Sequence, residues 1–545
     1  MFIPEMRKSA HLAILFGLLL LVSAGILAHR DILGVDIMEA RNLITAREMI
    51  GTGHWFLPTL HGELRLAKPP LPTWLTAAAM EFGNGGMDTD LAVNRIPSVL
   101  AGLLLAASLF GLTRFWTKST GAAAWATAFL STSYMFVLMT WRNSWDIYCH
   151  AFMLAAIWGL AVILQSPVPR RKLAVGTGLL LGLSGLSKGP VSFYALLLPF
   201  IAAMLATGGW RGFRARARDL GLALGIGIVL SVSWSAAAWL TVPQNFAGMV
   251  STERGAWFNR HTKPFWFYLQ FPLMTGIWAI AACAALWPGH ARKRVEPLLP
   301  YWRPVVWTLG SVLLLMLVPE KKDRYLLPAL IPLCQLMGVY LEGLLRDPDK
   351  GGRFGRAWVA AETALFAAAA LGIPVALWLL RGRFPALGGA ELAEMAVAAS
   401  LIAALLYRLC RTRDLTRLFM TKLAMLALGC LLVPALVQPP AGDVSVSVEE
   451  IRAITADASV IGDTSLKLQD FWLLGSLPLK AEDQSGSALK DTTCFVSRRE
   501  NPQRPEALGD FAPQEHLRVC DLSGDTLHLI LLHRNQKDRT GRTLP

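Results

Sequence analysis

The chain has 545 residues, 54% hydrophobic and 17% charged, with a formal net charge of +14. A soluble domain carries roughly a quarter charged residues, and the apolar residues here come in blocks that recur from Leu12 to Val437. That excludes an ordinary globular protein. The positive charge lies largely in short segments between apolar runs, as membrane orientation requires, which argues against a nucleic-acid surface.

In chain order, Arg7 and Lys8 precede an apolar run from Leu12 to Ala28. It is long for the core of a cleaved signal, and no small-residue cleavage site follows before Arg30, so it is expected to be the first span. Further apolar blocks make about thirteen expected transmembrane helices. They lie at 11–29, 92–113, 120–139, 146–165, 173–187, 190–207, 219–240, 267–287, 304–318, 325–344, 358–379, 391–408 and 418–438. The stretch 173–207 reads either as one long broken helix or as two helices meeting at Lys188-Gly189-Pro190.

With Arg7 and Lys8 in the cytoplasm, alternation places basic loops inside throughout: Arg114 and Lys118; Arg170, Arg171 and Lys172; Arg211 to Arg218; Arg292 to Arg294; Arg346 to Arg356; Arg408 to Arg413. This obeys the positive-inside rule, gives an inner-membrane protein with a cytoplasmic N-terminus, and leaves the C-terminal tail periplasmic. The domains expected are a transmembrane region at 1–438 and a soluble α/β domain at 439–545.

The outer segments are long at 30–91 and 241–266. Glu39 to Ile50 reads as an amphipathic helix, and Pro69 to Met80 as a second lying in the interface. The tail has strand-like runs at Ser459–Ile461, Phe471–Leu474, Cys494–Val496 and Leu527–Leu532, with a helix at 447–455. Cys494 and Cys520 both fall there, where a periplasmic location permits a disulfide between them. The aromatics Trp55, Trp74, Trp141, Trp145, Trp257 and Trp266 fall where interface belts are expected.

Charges on the outer side run against the topology bias and invite a functional reading. They include Asp36, Glu39, Arg41, Arg65, Lys68, Arg142, Asp146, Lys188, Arg254, Arg260, Lys263, Lys322 and Arg324. Lys and Arg at that depth suit a lipid phosphate or pyrophosphate, or simply lipid headgroups. On a continuous helix Arg142 and Asp146 would share a face at i,i+4, as a site or as a structural pair. In Lys68-Pro69-Pro70 the prolines hold a lysine near a helix start. Lys188-Gly189-Pro190 puts another at a helix break, where the backbone can approach a ligand closely.

Several stretches together carry a resemblance. They are Met38-Glu39-Ala40-Arg41 with Ala46-Arg47-Glu48-Met49, Gly53-His54-Trp55-Phe56-Leu57-Pro58, Lys68-Pro69-Pro70-Leu71, Arg142 with Asp146, Ser187-Lys188-Gly189-Pro190, Pro264-Phe265-Trp266-Phe267-Tyr268 and Arg324-Tyr325-Leu326-Leu327-Pro328. In this order, over Asp36 to about Pro332, the chain resembles GT-C glycosyltransferases that use polyprenyl-phosphate sugars. Within that superfamily, which includes protein O-mannosyltransferase-like enzymes, it is most similar to the bacterial aminoarabinose lipid A transferases.

The resemblance implies an inverting transfer of sugar from an undecaprenyl phosphate carrier to a cell-envelope acceptor such as lipid A or lipopolysaccharide, at the outer face of the inner membrane. It implies Asp36, Glu39 and Asp146 as catalytic candidates. Arg41, Lys68, Arg142, Lys188, Arg260, Lys263, Arg324 and Tyr325 are implied around the lipid phosphate, with Lys68 foremost. The aminoarabinose enzymes carry an acidic pair where this chain has Met38-Glu39, so the base is Asp36 or Glu39, with Asp36 favoured. They have an acidic residue where Ala67 stands, so metal binding is not carried over; no cofactor is certain, and a divalent metal stays open without support from the sequence. Another sugar or acceptor is compatible with both departures. The competing reading is a transporter or flippase of lipid-linked sugars, which would show internal repeats and helices broken at the membrane midplane; a structural scaffold is the third.

Overall fold

The computed structural model describes residues 2–30, 34–84, 90–259, 261–347, 352–379, 381, 388–436, 451, 453, 455–474, 479–480, 489–499, 502, 508–520 and 526–534. In chain order the elements are α1 (Phe2–Ala28), α2 (Ile37–Thr52), β1 (Thr59–Leu60), β2 (Glu63–Leu64), α3 (Leu71–Asn84), α4 (Leu91–Asn94), α5 (Ile96–Thr117), α6 (Thr120–Ser131), α7 (Tyr134–Trp141), α8 (Trp145–Gln165) and α9 (Arg171–Lys188). After a π-helical turn (Phe193–Leu197) come α10 (Leu198–Gly208), α11 (Arg211–Ala215), α12 (Ala217–Thr241) and α13 (Pro243–Asn259). A 3-10 segment (Phe265–Trp278) leads into α14 (Ala279–Leu286), α15 (Pro288–Val295) and α16 (Trp302–Leu317). A second 3-10 turn (Asp323–Leu326) opens α17 (Leu327–Arg346), followed by α18 (Gly352–Leu379), α19 (Gly389–Thr412) and α20 (Leu415–Leu436). The tail carries β3 (Ser459–Gly462), α21 (Leu468–Leu474), β4 (Leu479–Lys480), β5 (Thr492–Ser497), β6 (Phe511–Cys520) and β7 (Thr526–Arg534).

Two compact units result. The first comprises Met1–Arg30, Arg65–Pro72 and Ile96–Val437; the second comprises Asp31–Leu64, Thr73–Arg95 and Gln438–Pro545. The tail separates at 437/438, and residues 31–64 and 73–95 of the first outer loop belong with it, sharing its core.

The first unit is a helical membrane fold. Among the described residues eight helices are long and apolar enough to cross a bilayer, or nine if the bent pair α6–α7, which turns by 63°, is one span. The helix α17 lies deepest, with 89% of its apolar window buried. It meets α6 where Gly338 faces Ala126; a Cβ there would come within 2.3 Å of the Ala126 backbone nitrogen, so only glycine permits the approach. Glu362 of α18 and Lys422 of α20 are fully buried and joined at 3.0 Å. Glu362 also accepts the Ala281 N–H at the start of α14 (3.1 Å). Between α9 and α10 the chain breaks at Gly189, whose φ of 67° and ψ of −143° end α9 on Lys188. The region 173–207 is thus two helices joined through a π-helical turn.

The second unit surrounds an apolar core made by α2 (Ala40, Leu43, Ile44) and by Val460, Trp472, Val496 and Leu529 of the tail. Asp36 caps α2, accepting the N–H groups of Met38 and Glu39 at 2.8 Å each, which satisfies donors that have no partner inside the helix. Glu39, Asn42, Leu43, Ile44, Thr45 and Met49 are all buried, so α2 is a core helix and not an interfacial one. The five-stranded sheet has order β4-β3-β5-β7-β6, parallel through β4-β3-β5 and antiparallel through β5-β7-β6. Residues 471–474, expected as a strand, belong to α21. Most of the helix expected at 447–455 lies outside the described residues.

The Cys494–Cys520 disulfide does not form. Cys494 is a buried free thiol that burial pushes up to about 12. Its strand β5 is separated from β6 by β7, and Cys494 pairs with Leu531 while Cys520 pairs with Thr526. Strands two apart are roughly 9–10 Å from each other, beyond the Cα separation of about 7 Å that a disulfide can bridge.

Candidate functional site

The polar centre of the first unit is Asp146, the second residue of α8 and only 2% exposed. A carboxylate so buried needs partners. It accepts a hydrogen bond from the Lys188 ammonium at the end of α9, and the Arg324 guanidinium lies 3.8 Å from its other oxygen. The break at Gly189 lets α9 stop with its last side chain on this carboxylate.

Tyr325 lies among the same cations. Its ring is 4.8 Å from the Lys188 ammonium, 5.8 Å from that of Lys322 and 5.7 Å from the Arg324 guanidinium, the distances of cation–π contact. The turn carrying Arg324 and Tyr325 is strapped down. Tyr268 donates to the Lys322 carbonyl (3.2 Å) and accepts the Lys322 N–H (3.0 Å). Gln270 donates to Asp323 at 2.9 Å and the Lys321 N–H to the His261 carbonyl at 3.1 Å. Lys322 pairs with Glu320 at 2.7 Å. Lys321 is spent on the Val318 and Pro319 carbonyls, and burial holds its ammonium below the usual lysine range.

Lys68 comes to the same region on the short segment 65–72. Its ammonium meets Glu253 of α13 at 3.3 Å. Burial holds the Lys68 charge below the usual range, Glu253 opposes that shift, and the nearby Lys188 adds to it. The Arg65 guanidinium lies 4.6 Å from the centre of the Trp145 ring, so Trp145 is a buried platform and not part of an interface belt.

The remaining residues expected from sequence fall as follows. Arg142 and Asp146 do not share a helical face, because α7 ends at Trp141 and Arg142 is extended (φ −111°, ψ 124°) before α8 begins. Lys263 is exposed, and Arg260 lies outside the described residues. Asp36, Glu39 and Arg41 belong to the second unit. There Glu39 is fully buried in a two-bonded pair with Arg95, at 2.6 Å for each bond, and Arg41 reaches the Met38 sulfur at 3.7 Å. Sequence reasoning missed Glu253, although it is the single carboxylate in 241–266. Among the described residues no three His, Cys, Asp or Glu side chains stand close enough together to hold a metal ion.

Chemically, five cations (Arg65, Lys68, Lys188, Lys322, Arg324) and a phenol are arranged with three carboxylates (Asp146, Glu253, Glu320). Such a set of fixed positive charges suits a phosphate group.

The class defined is a polytopic helical membrane protein of the GT-C glycosyltransferase fold. The crystal structure of ArnT from Cupriavidus metallidurans bound to undecaprenyl phosphate matches with a TM-score of 0.70 at 18% identity, covering 94% of this chain and 97% of that one. The same protein in the apo state matches equally, at a TM-score of 0.70 and 17% identity. In sequence, the model of the dolichyl-phosphate-mannose-protein mannosyltransferase family matches residues 67–234. The chain resembles the undecaprenyl phosphate-alpha-4-amino-4-deoxy-L-arabinose arabinosyl transferase of Pectobacterium atrosepticum. They are 28% identical over 353 residues, 62% of this chain and 59% of the relative. It also resembles the protein of that name from Serratia proteamaculans, at 29% over 325 residues, 56% and 54% of the two chains. The chain thus spans less than two thirds of the length of these relatives.

Proposed function

We propose that this protein is an inverting glycosyltransferase that moves a sugar from an undecaprenyl phosphate carrier to a cell-envelope acceptor such as lipid A, on the periplasmic side of the bacterial inner membrane. The observation that carries this reading is the convergence of Lys68, Lys188, Arg324 and Tyr325 on the buried Asp146. Sugar transfer from a lipid phosphate leaves negative charge on the departing phosphate, and preorganised cations stabilise that charge as it develops. Lys68 is the first contact for the phosphate, Arg324 and Lys188 support it, and the Tyr325 hydroxyl donates a hydrogen bond. Asp146 orients the two cations that touch it. The likeness in fold to a protein that binds undecaprenyl phosphate supports the choice of carrier.

The carboxylate that positions or deprotonates the acceptor is Asp36 in this reading. Glu39 has both oxygens engaged by Arg95, which favours Asp36 over it. Arg41, Arg142, Arg260 and Lys263 serve the lipid phosphate in the outer layer. The topology is thirteen spans with the N-terminus cytoplasmic and a small α/β domain at the periplasmic C-terminus. The relatives' names point to an aminoarabinose donor, and the departures at Met38 and Ala67 leave room for a different sugar or acceptor.

The test is transfer by purified full-length protein in lipid, using a panel of radiolabelled undecaprenyl-phosphate sugars with lipid A, lipid-linked glycans and a crude envelope fraction as acceptors. Label reaching an acceptor with release of undecaprenyl phosphate is the expected result. Lipid-linked sugar crossing vesicles without transfer would establish the flippase instead.

A further inference from the structure

A further buried polar side chain lies beside this site. His150 lies on α8, one turn after Asp146, and is fully buried at 0% exposure. Neither of its ring nitrogens has a hydrogen-bond partner in the protein. The residues just before it in sequence are engaged: Tyr148 donates to Asn143 at 2.7 Å, and Ser184 donates to the Cys149 carbonyl at 2.7 Å while sharing a bond with Ser192. The i,i+4 spacing puts His150 on the face of α8 that carries Asp146, and it is within electrostatic reach of both Asp146 and Lys188. Two unsatisfied ring nitrogens in a membrane helix are costly, whereas an apolar ring of similar shape would carry no such cost. A polar ring placed at that cost next to the charged centre of a site has a role that packing does not supply.

We infer that His150 is a positioning residue for Asp146: the imidazole, one turn along the same face of α8, fixes the carboxylate's orientation, and through it the placement of Lys188 and Arg324. The inference rests on the glycosyl-transfer reading, and it makes His150 matter for turnover while adding nothing to the stability of the fold.

The experiment compares wild type, H150F and H150Q as full-length protein in lipid. It measures thermal stability, undecaprenyl phosphate affinity, kcat and KM, and repeats H150F in a D146N background. The expected result is an H150F protein as heat-stable as wild type or more so, binding undecaprenyl phosphate within about twofold, with kcat reduced about tenfold or more and KM little changed. H150Q, which keeps a polar group, recovers part of kcat, and H150F costs little further once Asp146 is Asn. Wild-type kcat in H150F overturns the inference. So does a loss of kcat that tracks a loss of stability, is not rescued by H150Q, or adds in full to the D146N loss. Absence of transfer by wild type would instead fail the underlying reading, and it is read from a separate sample.

Discussion

The Lys68 ammonium and the Glu253 carboxylate stand 3.3 Å apart, although 185 residues separate them in the chain. Lys68 is the residue proposed to meet the lipid phosphate first, so Glu253 occupies the place of an anion and the phosphate must displace it. Both side chains are 27% exposed, which keeps the pair weak, on the order of 0.2–1 kcal/mol. Glu253→Gln is therefore expected to tighten undecaprenyl phosphate binding by up to roughly fivefold. Lys68→Ala removes a charged hydrogen bond and should weaken binding by roughly 10- to 150-fold. Titration of each variant with undecaprenyl phosphate in nanodiscs checks both; weaker binding by Glu253→Gln would show that the carboxylate helps hold the ligand.

The depressed basicity of Lys68 predicts a pH dependence of binding. Burial lowers its pKa from the ordinary 10.5, and a phosphate binds the charged ammonium. Above neutral pH the phosphate's own charge no longer changes, since its second proton leaves near pH 6. Affinity should thus be full below the lowered pKa and fall as pH rises through it, at a pH below that of an exposed lysine. Lys68→Arg keeps its charge throughout and should move the fall upward. A midpoint unchanged by Lys68→Arg would assign the titration to another group.

In the second unit, Glu39 and Arg95 are both fully buried and share two 2.6 Å bonds. Removing one partner strands a buried charge, at a cost of about 3–5 kcal/mol. Arg95→Met is expected to lose folded protein, seen as low yield and rapid proteolysis of the tail, whereas Asp36→Asn should leave yield intact and lower transfer. If Arg95→Met is as stable as wild type, the pair is not structural and Glu39 returns as a candidate base.

The sequence made the helices legible because a membrane span must satisfy its own backbone and present apolar side chains, which leaves long unbroken blocks. Helical elements fall in the thirteen regions read as spans, but among the described residues eight of them, or nine with the bent pair, are long and apolar enough to cross a bilayer; the break at Lys188-Gly189-Pro190 was readable because the positive φ of Gly189 needs glycine. Lys68, Asp146, Lys188, Arg324 and Tyr325 were named individually, but their convergence was not readable. The reach of Lys188 to Asp146 depends on how α8 and α9 pack, which no local pattern records. The i,i+4 reading of Arg142 failed because it assumed one helix where the chain bends after Trp141. The tail's contribution to the core around α2 was hidden for the same reason: apolar faces of Ala40, Leu43 and Ile44 say that burial occurs, not which segment provides it. Phe471–Leu474 illustrates that a short apolar run does not distinguish strand from helix.

The pair Glu362–Lys422 gives the last prediction. Both side chains are 0% exposed inside the helical unit and 3.0 Å apart. The Lys422 ammonium also lies 4.5 Å from the Phe419 ring centre and 5.2 Å from that of Phe366. Glu362 uses its second oxygen on the Ala281 N–H, so the pair ties α18, α20 and α14 together. A charge left alone there has neither water nor a counter-ion, so Lys422→Met should destabilise the protein by about 3–5 kcal/mol. Replacing both partners removes the stranded charge, and Glu362→Leu with Lys422→Met should recover most of that loss, leaving only the Ala281 N–H without its acceptor. The sign of the coupling decides between two roles. Recovery of thermal stability and of transfer in the double variant would make the pair a lock between helices. Recovery of stability with transfer still lost would mean that the charges themselves serve the reaction.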